Sequence, residues 1–176
     1  MIQTTTCNWF SSQARRIDVA DGDTLSFDEC LRVPAVGALT PLPQSGVAQI
    51  AVDGSLAVEL DVSALTLPFG APQAIGGAPV DPAAQSGGID GRPILSLWAF
   101  APFGAYGDGI RVSFDGPVPQ LASAPGTVRN LQFWDVDKDS GEFAVVGTGS
   151  VDDAGVVTIL GEVRPHALTW LYVTEA

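Results

Sequence analysis

Apolar and polar residues alternate along much of this chain. In "LAVELDV" (56–62), Leu56, Val58, Leu60 and Val62 fall on one face, and Ala57, Glu59 and Asp61 on the other. That is the pattern of a half-buried strand. "VAQIAV" ends just before it at Val52, and Asp53-Gly54 between the two runs predicts a hairpin, because glycine tolerates positive φ. "RRIDVA", Asp21-Gly22 and "DTLSF" form a similar unit earlier. "GIRVSFDG" sets Ile110, Val112 and Phe114 against Arg111, Ser113 and Asp115. "ILSLWAFA" (94–101) is mostly apolar on both faces, which predicts a central or covered strand.

The last third reads as a regular meander. "VRNLQFWDV", "EFAVVGTGSV", "GVVTILGEV" and "ALTWLYV" are its strands, and "DKDSG", "DDAG" and "RPH" its turns. Residues 67–93 are rich in Gly, Pro and Ala without a period, and their prolines argue against a central strand, so a long surface loop is predicted there. No window keeps a helical period for three turns with a cap. About ten short, mainly antiparallel strands at this spacing predict an all-β sandwich with one long Gly/Pro-rich loop. Residues 1–33 read as an N-terminal arm and hairpin, and 34–176 as the sandwich body, within one domain overall. Exact self-repeats are absent, which argues against a propeller or solenoid.

Composition sharpens the class. The 20 glycines and 13 prolines punctuate many short segments, and 46% apolar residues is too high for disorder. The net charge is −12, with a single lysine, Lys138, and arginines that are scattered apart from Arg15-Arg16. Binding to nucleic acid or to anionic membranes needs clustered cations and is not expected. No stretch reaches the roughly 20 apolar residues of a membrane span, so no membrane insertion is expected. The N-terminus lacks the charged start and apolar core of a signal peptide. Such acidity suits an extracellular, salty or calcium-containing medium, and suits plain solubility equally. Cys7 and Cys30 lie in no C-x-x-C motif. One disulfide tying the N-terminal arm to the body is expected, with two free thiols as the alternative; the pairing leans on a secreted location.

One acidic turn raises a metal question. In "FWDVDKDSGEF" (133–143), Asp135, Asp137 and Asp139 alternate like the first ligands of a calcium loop. The match then fails: Gly141 comes one position late, Val146 stands where a closing glutamate belongs, and Lys138 sits in the centre. A hairpin turn is the stronger reading, with Asp139 or Ser140 bonding local backbone and Gly141 at positive φ; calcium remains the alternative. Asp18, Asp21, Asp23 and Asp28 form a second acidic cluster with the same hairpin reading. Among the aromatics, Trp98 and Phe100 share a strand face and read as core. Phe103 and Tyr106 fall in a Gly-rich loop and are the candidates for an exposed contact, for instance with a glycan.

Several of these pieces recur together in a known pattern. Pro125-Gly126-Thr127, Phe133-Trp134-Asp135, Ser140-Gly141-Glu142-Phe143, Val151-Asp152-Asp153-Ala154-Gly155, and His166 with Trp170 resemble the turns and closing aromatic strand of bacterial cell-surface modules. "LAVELDVSALTLPFGAP" is similar to another part of the same modules. The wider resemblance is to β-sandwich domains of the ankyrin and netrin-receptor type. More distantly, the chain resembles the autoproteolysis-inducing domain of adhesion receptors. It covers residues 48–173 and implies an extracellular spacer or adhesion part. In the autoproteolytic relatives a histidine activates a hydroxyl in a His-Leu-Thr run. Here Ala167 is inserted, so His166 and Thr169 should face opposite ways in a strand. Cleavage at Leu168-Thr169 is therefore a minor alternative. Other hydrolase and zinc chemistry is poorly served: His166 is the only histidine, and no G-x-S-x-G elbow occurs.

The expectation is a non-catalytic structural or adhesion module, secreted or on the cell surface. It needs no cofactor, and its partners are other domains of a parent protein or neighbouring surface subunits. The alternatives are a glycan- or calcium-binding module, an autoproteolytic domain, and a subunit of a surface filament or lattice whose arm or long loop pairs with a neighbour's sheet edge.

Overall fold

The computed structural model, which describes residues 9–10, 35–36, 39–67, 74–84, 88–101, 104–137 and 140–176, turns the alternation in sequence into alternating burial. In chain order the strands are β1 (Trp9–Phe10), β2 (Ala35–Val36), β3 (Thr40–Pro41), β4 (Val47–Ala51), β5 (Leu56–Asp61), β6 (Ala74–Val80) and β7 (Ile94–Ala101). They continue with β8 (Ala105–Tyr106), β9 (Ile110–Phe114), β10 (Arg129–Val136), β11 (Phe143–Val151), β12 (Val157–Leu160), β13 (Ala167–Leu168) and β14 (Trp170–Glu175). The helical segments among the described residues are short 3-10 turns, and the chain is all-β. Among the described residues no helix is long and apolar enough to cross a membrane.

β4, β5 and β9 pair in that order as a three-stranded antiparallel sheet. A seven-stranded sheet runs β12-β11-β10-β14-β7-β6-β3. The two sheets share one core: Ile50, Leu56, Leu60 and Ile110 from the smaller meet Trp98, Phe100, Phe133 and Leu171 from the larger. Period-two geometry sends the neighbours of these residues to the opposite face. There Leu97, Ala99, Trp134, Val136, Trp170 and Tyr172 form a second buried cluster with Ile89. β7 is accordingly buried on both faces, as its run of apolar residues predicts. Trp134 gives its indole N–H to Thr174 Oγ1 at 3.0 Å, while burial pushes the Tyr172 phenol well above the usual tyrosine range.

One side chain ties the layers together. Asp53, in the β4–β5 turn, accepts the Trp98 indole N–H through Oδ2 at 2.7 Å. Its Oδ1 accepts the backbone N–H groups of Ser55 and Leu56, each at 2.7 Å. Around this bond, Trp98 meets Phe114 edge-on at 5.9 Å between centroids, and Phe114 meets Phe133 at 5.7 Å. The hairpin predicted at Asp53-Gly54 forms, but Gly54 does not take a positive φ. The aspartate's hydrogen bonds hold the turn instead.

Two expectations about topology change. Residues 67–93 are not one loop, because they contain β6, which pairs with β7 over Gly76–Val80. β3 reaches only Ala74 and Ile75, so Pro79 lies beyond the last rung on that side, where no N–H is required. The last four long strands also do not form a simple meander. β14 pairs with β10 and β7 rather than with β12, so β14-β10-β11-β12 is a Greek key. The return segment crosses between the sheets: Val112 donates its N–H to Val163 at 3.0 Å, and Arg164 donates to Val146 at 2.9 Å. Gly147 makes room for it. A Cβ there would lie 2.7 Å from Val163 Cγ2 and 2.8 Å from the Glu162 carbonyl oxygen. Cys7, Cys30 and the acidic cluster at Asp18, Asp21, Asp23 and Asp28 lie outside the described residues.

Burial pushes the Asp53 carboxyl up, but the Trp98 indole and the Ser55 and Leu56 donors outweigh it and hold the group below the usual aspartate range. A depressed folded value means that its contribution is complete above about pH 4 and lost as pH falls through the folded value. In denaturant melts, the stability gap between wild type and Asp53→Asn is expected to be widest above that pH and to narrow below it. Gly147→Ala is expected to cost about 1–3 kcal/mol, as overpacking against a fixed backbone does.

Candidate functional site

The crossover builds a cleft. Asp135 is the next-to-last residue of β10, on the face that meets the returning chain. Its side chain is only 4% exposed. Oδ2 accepts the His166 backbone N–H at 2.7 Å and lies 3.2 Å from His166 Nδ1. Oδ1 has no hydrogen-bond partner among the described residues. The imidazole itself stands in the open, with its side chain 76% exposed.

Tyr106 stands beside them because β8 is paired on both sides. It is opposite Ala167 of β13, and its backbone exchanges hydrogen bonds with Thr66 at 2.7 and 3.0 Å. Gly107 adds an N–H to the His166 carbonyl at 3.1 Å. The Tyr106 residue is 44% exposed. With Asp137, Ala144 and Ala167, these residues line a cleft of about 420 Å³.

Asp137 sits at the rim and closes the β10–β11 hairpin. It accepts the Ser140 N–H at Oδ1 (2.6 Å), and its carbonyl accepts from Gly141 N–H (2.9 Å). Ser140 Oγ accepts from Glu142 N–H, and Gly141 has φ +71°, as the hairpin reading requires. Asp135 and Asp137, read as alternating metal ligands, thus each commit an oxygen to backbone N–H groups. Among the described residues no group of three or more His, Cys, Asp or Glu side chains is placed to hold a metal ion. Asp139 lies outside them, as does Phe103.

No family model matches this chain, and no curated protein or solved structure matches it.

The proposed autoproteolytic pair is separated. Thr169 is fully buried, and its hydroxyl donates to the Val136 carbonyl at 3.0 Å. The Leu168 carbonyl accepts from Gly104 N–H at 2.8 Å. His166 turns its Nδ1 to Asp135, so no hydrogen bond joins it to Thr169. Trp98 and Phe100 are buried, in keeping with a core role. The structure thus gathers Tyr106, Asp135, Asp137 and His166 into one place, although the sequence raised them for three different reasons. The pairing of Asp135 with His166 spans 31 positions and has no local signal. The rarity of histidine in this chain was the one available hint.

The folded chain is expected to show a single intact mass after prolonged incubation. Thr169→Val should cost about 1 kcal/mol through the lost hydrogen bond and leave that mass pattern unchanged, as read by denaturant melts and mass spectrometry.

Proposed function

We propose that this chain is a non-catalytic adhesion module of a larger surface protein or assembly, secreted or displayed outside the cell, and that the cleft at the crossover is its recognition site. The observation that carries this reading is that half-exposed Tyr106 and the buried Asp135 line the same cleft. Pairing of β8 on both sides holds the Tyr106 backbone in place before any partner arrives, which lowers the ordering cost of binding. An aromatic face next to hydrogen-bonding groups is a common composition for a recognition pocket. The commitment of Thr169 to Val136 favours binding over cleavage. The turn pattern that resembles bacterial surface modules points to an extracellular setting, with which the strong negative charge is compatible.

A glycan is the second reading, since Tyr106 offers a stacking face and Asp135 and Asp137 offer acceptors for sugar hydroxyls. Beads coated with the wild-type chain are expected to adhere to cells presenting its partner at least about tenfold better than beads coated with Tyr106→Ala, the loss expected for a truncated aromatic hot spot. Equal adhesion by the two, with both chains folded, would remove the cleft from the recognition role.

A further inference from the structure

We infer that the cleft takes a cationic group, namely the ammonium or guanidinium end of a lysine or arginine side chain on a protein partner. The inference rests on the reading of the cleft as the recognition site and names the chemistry it selects.

Charge comes first. The described residues lining the cleft include two aspartates and neither lysine nor arginine. The chain as a whole carries −12. The field of the whole molecule disfavours an anionic ligand and draws in a cation.

The decisive feature is Asp135. It is nine-tenths buried, yet both of its contacts, the His166 N–H and Nδ1, fall on Oδ2. Asp135 lines the cleft, and its other oxygen has no hydrogen-bond partner among the described residues. Burying a carboxylate is costly unless it is paired and hydrogen-bonded. A sugar hydroxyl would supply a hydrogen bond without an opposite charge. An ammonium or guanidinium supplies both, and a charge-assisted bond is roughly twice as strong as a neutral one. Tyr106 adds an aromatic ring in the same cleft, the partner that a desolvated cation seeks. A divalent metal ion is less well served: it wants six or more oxygens, and Asp137 Oδ1 is already held by Ser140 N–H.

His166, as the chain's sole histidine, provides one unambiguous imidazole signal at the cleft. The test is an NMR titration at low ionic strength that follows that signal and the Tyr106 ring. The probes are Nα-acetyl-lysine methylamide and Nα-acetyl-arginine methylamide, compared with the neutral Nα-acetyl-norleucine methylamide, methyl glycosides and calcium chloride. Saturable shifts are expected with the two cationic probes, at concentrations about tenfold lower than with any neutral one. They should disappear in Asp135→Asn and weaken several-fold in Tyr106→Ala. Asp115→Asn, which removes a charge at the opposite end of β9, should leave them unchanged. If Asp135→Asn fails to fold, Tyr106→Ala, an exposed change, decides the point. Preferential saturation by a glycoside or by calcium would overturn the cationic assignment while leaving the cleft as a binding site. Shifts that persist equally in Tyr106→Ala and Asp135→Asn, or fall equally in Asp115→Asn, would overturn it as general attraction to an acidic surface. The bead experiment fails separately, because it does not depend on ligand class.

Discussion

The bond between the Trp98 indole and Asp53 sets the terms for the rest of this structure. β7 is buried on both faces, so any polar atom it carries must find a partner inside the protein. Trp98 carries one, and the turn of the other sheet supplies the acceptor at 2.7 Å. The same carboxylate caps its own turn through the N–H groups of Ser55 and Leu56. Hairpin geometry and the stacking of the sheets are thereby fixed by one side chain. The aromatic series Trp98, Phe114 and Phe133 then fills the space on either side of that fixed point.

The cleft is a product of topology rather than of any local motif. A meander would have laid the last strand beside β12. The Greek key instead carries the chain between the two sheets, past Val112 and Val146, before β14 enters the larger sheet beside β10. That path delivers His166 to Asp135 and lays β13 against β8, where Tyr106 stands. Gly147 is the local concession that lets the crossing chain approach. An acidic strand end, a lone histidine and a tyrosine from a Gly-rich segment come together because of where one connection runs.

The sequence carried the fold well where side-chain period alone decides structure. The alternation in β4, β5 and β9, the two-sided apolar run of β7, and the turn with Gly141 were all readable. Two things were not, and a third was read on another ground. β6 hid in a Gly/Pro-rich segment, because a proline is tolerated wherever the adjacent strand stops short, and that depends on β3, two residues long and far away in sequence. The position of β14 depends on pairing between distant strands, which periodicity does not encode. The Asp53-Gly54 turn was found for the wrong reason: glycine conformation suggested it, but the carboxylate holds it. At the site, residue types flagged the right side chains, while their convergence required the crossover.

The position of β14 also has a mechanical meaning. It is antiparallel to β10 on one side and to β7 on the other, so it lies within the larger sheet rather than at its margin. A pull along its axis would load both ladders at once and require their hydrogen bonds to shear together. Edge strands such as β12, paired on one side only, can be peeled rung by rung. Tension entering through β14 would be borne by a strand supported on both sides.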